Sequence, residues 1–171
     1  RDLVRSRGLG DVYKRQVSKK AVAEGYDAIK IDFLTYAPED GRRYTDEDCT
    51  RLLSPKLVDV VESRVAAVRE AIGPNVDIIM ENHSRPDAQS AVQLGRAVQK
   101  YNIFYFEEPN TPNPKTAKFI SSKLSMPIAH GERVYSRWQY APFFEDQSIQ
   151  VIQPDLGNCG GLTEGKKICD M

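Results

Sequence analysis

Short apolar runs give way abruptly to charged residues five times along this chain. Ile78-Ile79-Met80 runs into Glu81-Asn82-His83, Ile103-Phe104-Tyr105-Phe106 into Glu107-Glu108-Pro109, and Met126-Pro127-Ile128-Ala129-His130-Gly131 into Glu132-Arg133. Val151-Ile152-Gln153-Pro154 ends in Asp155, and Ala28-Ile29-Lys30-Ile31 ends in Asp32. Each run reads as a buried strand whose carboxyl end opens on a site. From Glu81 onward the junctions recur about every 25 residues, the length of one strand, one helix and two short loops in a repeating βα unit. Glu81, Glu107 and Glu132 are thereby expected side by side on one rim. The gap from Asp32 to Glu81 is too long for one such unit, and the excess falls in a polar stretch from Phe33 to Leu53. That stretch reads as a long loop, of the kind that forms lids, binding segments or disordered links.

Between these runs, apolar residues recur at steps of three and four. A short helix is predicted from Val17 to Glu24, stopped by Gly25. Ser54 as cap and Pro55 as first residue open a helix carrying Leu57, Val61, Val65, Val68 and Ile72, which Gly73-Pro74 ends. Further helices are expected from Asp87 to Tyr101, from Pro114 to Leu124 with Asn113 as cap, and from Ser136 to Glu145 with a kink or break at Pro142. A last helix begins near Gly161.

A helix followed by five strand–helix units makes an α/β chain with a parallel sheet and right-handed crossovers. Two arrangements compete, an open doubly wound sheet and part of an eight-stranded barrel. An open sheet gathers its chemistry at one switch point, whereas a barrel spreads it over several strand ends. Polar groups at five successive strand ends predict a partial (β/α)8 TIM-type barrel, about five βα units of eight. Five units cannot close a barrel, so the chain is expected to be a piece of a larger protein.

The 171 residues are 40% hydrophobic with mean hydropathy −0.50, as in a soluble globular domain. Lys plus Arg and Asp plus Glu both number 24, so no net field favours nucleic acid or an anionic surface. No apolar run approaches the length that a bilayer requires, which argues against a membrane partner. Cys49, Cys159 and Cys169 are odd in number and lack metal-site spacing, so reduced thiols and a cytoplasmic location are expected. Residues 1–16 stand apart: Arg1, Arg5, Arg7, Lys14 and Arg15 surround two glycines with no apolar run. The string resembles translated sequencing-adaptor read-through. Residues 1–16 are therefore expected to be non-native and 17–171 to be the domain.

Hard divalent cations such as Mg²⁺ take oxygen ligands in an octahedral array completed by water and substrate. Glu81, Glu107 and Glu132 would supply three carboxylates without a thiolate, which suits Mg²⁺ better than Zn²⁺. Such a centre can hold a substrate carboxylate and stabilise the charge that appears when the neighbouring carbon loses its proton. His83 carries an imidazole suited to general acid work, and Lys30 and Asp32 approach from the other flank. Alternation places His130 on the face of Glu132, in the core beneath the metal, as a hydrogen-bonded histidine. Glu108 is expected to be held by a neighbouring cation.

The segments Lys30-Ile31-Asp32, Glu81-Asn82-His83, Phe106-Glu107-Glu108-Pro109, Gly131-Glu132-Arg133 and Gln153-Pro154-Asp155-Leu156 with Gly160-Gly161 resemble the enolase superfamily. The likeness is to its mandelate racemase/muconate lactonizing group, and most of all to the galactonate- and gluconate-type sugar-acid dehydratases. The resemblance covers Val17 to Met171. It implies that Glu81, Glu107 and Glu132 ligate Mg²⁺ and that His83 protonates the departing hydroxyl. It also implies that Asp155 orients a catalytic histidine on the next strand, which this sequence lacks, and that an N-terminal capping domain is missing. A small-molecule sugar acid is the implied substrate, dehydrated through an enediolate, and the parent protein is expected to be a homo-oligomer.

Two departures matter. Glu81 stands where many relatives carry aspartate, and Lys30-Ile31-Asp32 lacks the second lysine that racemizing members use as a base. The second departure favours a dehydratase over the alternative, a racemase or epimerase of an α-hydroxy acid. A third reading is a truncated chain without turnover.

Overall fold

Seven α-helices and five strands alternate through residues 9–171, the part of the chain that this computed structural model describes. The strands are β1 (Ala28–Asp32), β2 (Asp77–Glu81), β3 (Ile103–Glu107), β4 (Ile128–His130) and β5 (Val151–Ile152). They form one parallel sheet in the order β1-β2-β3-β4-β5. A doubly wound sheet reverses its strand order at a switch point. Here the order never reverses, as expected for consecutive units of a barrel wall, and the partial-barrel expectation stands.

The helices are α1 (Leu9–Ala23), α2 (Asp46–Cys49), α3 (Pro55–Ile72), α4 (Ala88–Val98), α5 (Pro114–Ser121), α6 (Arg137–Glu145) and α7 (Gly161–Cys169). Local chemistry explains most of their ends. Ser54, Asp87 and Asn113 cap α3, α4 and α5, each accepting backbone N–H bonds from the first turn. A 3₁₀ turn, Gln99–Tyr101, extends α4 to left-handed Asn102, so that helix ends as predicted. The expected helix over 114–124 stops at Ser121, and Pro142 sits inside α6 without ending it.

Two expectations need correction. The helix predicted from Val17 begins at Leu9, because no proline or glycine interrupts residues 11–22 and tertiary contacts hold its early turns. Lys14 Nζ donates to the Asp32 carbonyl at 2.7 Å, and Arg15 pairs with Glu70 of α3. Residues 1–8 of the segment expected to be non-native lie outside the described residues. The stretch from Phe33 to Leu53 is not a plain loop. It contains an antiparallel bridge between Tyr36 and Arg43 and the one-turn α2, opened by a Thr45/Asp48 capping box. Phe33, Leu34, Tyr44, Cys49 and Leu53 are buried, so the segment is packed down.

The core lies between the sheet and its helices. Ile78, Met80, Phe106 and Ile128 meet Val61, Val65 and Val68 of α3, Leu94 and Val98 of α4, and Ile120 of α5, all of them buried. Gly131 permits the tightest approach. A Cβ there would stand 2.2 Å from the Gln153 carbonyl oxygen, so only glycine lets the β4 end lie against the β5 end.

Candidate active site

Register explains which side chains meet. Asp32 pairs with Glu81, Glu81 with Glu107, Glu107 with Ala129, and Ala129 with Val151, making one row across the sheet. Side chains in such a row share a face. The row is acidic over β1 to β3 and apolar over β4 and β5.

Glu81 and Glu107 are each 3% exposed. Two buried carboxylates this close repel unless a proton or a cation intervenes. Lys30 supplies the cation, with Nζ 2.8 Å from Glu107 Oε1 and 3.4 Å from Glu81 Oε2. Burial alone would lower the pKa of the Lys30 ammonium, but its bond to Glu107 and the charges of both carboxylates outweigh this and raise it. Burial, followed by the adjoining Glu107 carboxylate, pushes the Glu81 carboxyl well above the ordinary range. Glu81 Oε1 also accepts the His83 amide at 2.7 Å, and Glu107 Oε2 is buried without a hydrogen-bond partner.

His83 and Asp32 form the neighbouring pair. His83 Nδ1 lies 3.0 Å from Asp32 Oδ2, while Asp32 Oδ1 accepts the Leu34 amide at 2.8 Å. The imidazole is half exposed, and the Asp32 side chain is mostly covered. The structure thus brings together Lys30, Asp32, Glu81, His83 and Glu107.

Glu132 and Asp155 stand apart from that group. Position 129 occupies the β4 place in the row, so Glu132 lies in the loop above, where its carboxylate pairs with Arg133. Asp155 is exposed and caps the turn after β5, accepting the amides of Gly157 at 2.7 Å and Asn158 at 3.2 Å. Among the described residues, no three of His, Cys, Asp and Glu stand together as a metal cage. His130 is the hydrogen-bonded core histidine expected, but on the other face of the sheet. It is fully buried on the helix side, its ring 6.1 Å from that of Phe143 in α6 and its Nδ1 3.2 Å from Glu108 Oε1. The face-sharing argument failed because the chain leaves the strand at His130, and alternation lapses beyond a strand end.

Two residues carry weight that the sequence reading overlooked. Tyr105 sits two positions before Glu107 on its face, its hydroxyl 3.4 Å from Gln153 Nε2. Alternation back from Glu107 would have found it. Arg85 had no such signal: its guanidinium donates to the carbonyls of Leu34, at 2.6 Å, and Tyr44, clamping the 33–54 segment beside His83.

With this geometry in place, comparison with known proteins decides the family. The profile described as "Enolase C-terminal domain-like" matches residues 12–171. The chain belongs to that family. It is 34% identical over 152 residues to a D-gluconate dehydratase of Thermoproteus tenax, covering 88% of this chain and 28% of that protein. It is 36% identical over 126 residues to a D-galactonate dehydratase of Variovorax paradoxus, covering 73% of this chain and 33% of that protein. A crystal structure of an enolase superfamily member from Salmonella Typhimurium superposes with a TM-score of 0.90 at 45% identity, covering 94% of this chain and 41% of that one. The chain therefore spans about a third of the length of these curated relatives. No described helix is long and apolar enough to cross a membrane.

Proposed function

We propose that these residues form the acid flank of a Mg²⁺-dependent sugar-acid dehydratase. The observation that carries this reading is the buried Glu81–Glu107 pair set beside the Asp32–His83 pair. It is supported by the names of the relatives, which act on gluconate and galactonate.

Glu81 and Glu107 suit a hard cation: their donors are all oxygen, both residues are buried, and one oxygen, Glu107 Oε2, is unpartnered. Glu81, Glu107 and Glu132 are the residues that would hold Mg²⁺, which when bound supplies positive charge to steady an aldonate carboxylate as its α-carbon is deprotonated. Lys30 keeps the Glu81 and Glu107 carboxylates together and stays protonated there, so it is an electrostatic partner and not a base. Asp32 accepts from His83 Nδ1, so the ring must enter the step doubly protonated for Nε2, on its exposed side, to give a proton to the departing β-hydroxyl, after which the Nδ1 proton stays with the ring. Asp155 keeps its proposed part as the partner of a base on the following strand. Homo-oligomeric assembly of the parent and a cytoplasmic location remain part of the proposal.

The test is to incubate the full-length parent with a panel of aldonates and assay 2-keto-3-deoxy acids. Product with Mg²⁺ and none with a chelator is expected. Inversion at the α-carbon without a keto acid would favour the racemase reading instead.

A further inference from the structure

One nitrogen of Arg133 serves two carboxylates. Its Nη1 lies 3.1 Å from Glu108 Oε2 and also pairs with Glu132 Oε1. The two carboxylates are unlike. Glu108 is fully buried and held from three other directions: by Ser84 Oγ, by His130 Nδ1 at 3.2 Å and by the Gly131 amide at 3.2 Å. The Ser84 amide donates to the Glu108 carbonyl at 2.9 Å, and the Glu108 amide donates to that of Ala129 at 2.9 Å. Glu108 is thus a fixed point where three strand ends meet. Glu132 is 37% exposed and its partner Arg133 is 40% exposed, so both sit where side chains can change rotamer. A donor divided between a fixed acceptor and a free one binds the free one less firmly.

We propose that Glu108 is a positioning residue that draws Arg133 away from Glu132 and so frees the Glu132 carboxylate to join Glu81 and Glu107 around a divalent cation. This rests on the metal reading above. Deprived of the Glu108 charge, Arg133 keeps Glu132 as its remaining carboxylate and becomes the cation's competitor. Deprived of Arg133, Glu132 has no competitor and Glu108 has nothing to act through.

The opposite signs make the test sharp. Mn²⁺ serves as the probe, its dissociation constant read by electron paramagnetic resonance alongside Tm. Glu108→Gln is expected to weaken Mn²⁺ binding about tenfold, as loss of a partner behind a metal ligand does. Arg133→Met is expected to tighten it about two- to fivefold, the range for a half-exposed ion pair. The double variant is expected to bind as Arg133→Met does. A Glu108→Gln protein with lowered Tm but unchanged Mn²⁺ affinity would overturn the inference, since Glu108 would then only brace the fold. So would a Glu108→Gln effect that persists undiminished without Arg133. Should Glu108→Gln fail to fold, Arg133→Met decides alone: unchanged or weaker binding overturns the inference. An unsubstituted protein that takes up no Mn²⁺ overturns the metal reading and this inference together.

Discussion

Asp32 and His83, on neighbouring strand ends, stand 3.0 Å apart between Oδ2 and Nδ1, and the second Asp32 oxygen is held by the Leu34 amide. A carboxylate pinned in this way can accept only from Nδ1, so it sets the ring's angle and balances the charge of the doubly protonated ring that gives up its Nε2 proton. Asp32→Asn presents a neutral amide that can turn a donor toward Nδ1, leaving the doubly protonated ring without its negative partner. Dehydration by the full-length parent is expected to fall on the order of 10²-fold, within the range that general acid catalysis supplies, with Tm nearly unchanged. Wild-type turnover in Asp32→Asn would remove Asp32 from the mechanism.

The Glu81–Glu107 pair makes stability depend on pH, and the sign follows from proton counts. Burial and the neighbouring carboxylate raise the Glu81 pKa in the folded chain above its unfolded value. Above the ordinary carboxylate pKa of about 4.3 the folded state therefore holds more protons than the unfolded one, and stability drops as pH rises. In chelator, Tm is expected to decline from about pH 5 toward about pH 8. Saturating Mg²⁺ is expected to flatten that decline, because the cation replaces the proton. Matching slopes with and without Mg²⁺ would count against Glu81 as a ligand.

Gly131→Ala would drive a Cβ into the Gln153 backbone, at 2.2 Å from its carbonyl oxygen. Backbone cannot rotate aside as a side chain can. A loss of roughly 2–4 kcal/mol is expected, at the upper end of single-residue overpacking. Urea denaturation measures it, and a loss below about 1 kcal/mol would mean that β5 shifts freely.

Arg85→Ala removes donors to the carbonyls of Leu34 and Tyr44. Hydrogen exchange over residues 34–45 is expected to speed up, with global stability lower by about 1–3 kcal/mol. Unchanged exchange there would show that Phe33, Leu34 and Tyr44 hold the segment by burial alone.

Much of the fold is legible in the sequence because each strand ends in an abrupt apolar-to-charged step and each helix between them keeps one apolar face. Ser54-Pro55 and Asn113-Pro114 mark helix starts with chemistry that acts within a few residues. What could not be read depends on distant partners. Phe33, Leu34, Tyr44 and Leu53 follow no period, and their segment is ordered by Arg64 of α3, donating to the Phe33 and Tyr36 carbonyls, and by Arg85. Within the site, equal spacing suggested three equivalent glutamates. Pairing shows that Glu81 and Glu107 are the last residues of their strands, whereas Glu132 follows its strand by two residues and answers to Arg133.

The backbone at the rim turns left-handed at three non-glycine residues, His83 at φ 51°, Ser84 at φ 60° and Glu108 at φ 45°. Each such residue costs about 1–2 kcal/mol that glycine would not. Ser84→Gly would relieve one of them and at the same time delete the hydroxyl that donates to Glu108. A search for heat-resistant variants would thus be drawn to the very position where relaxation loosens the grip on Glu108. Robustness and aptitude pull against each other at a single serine.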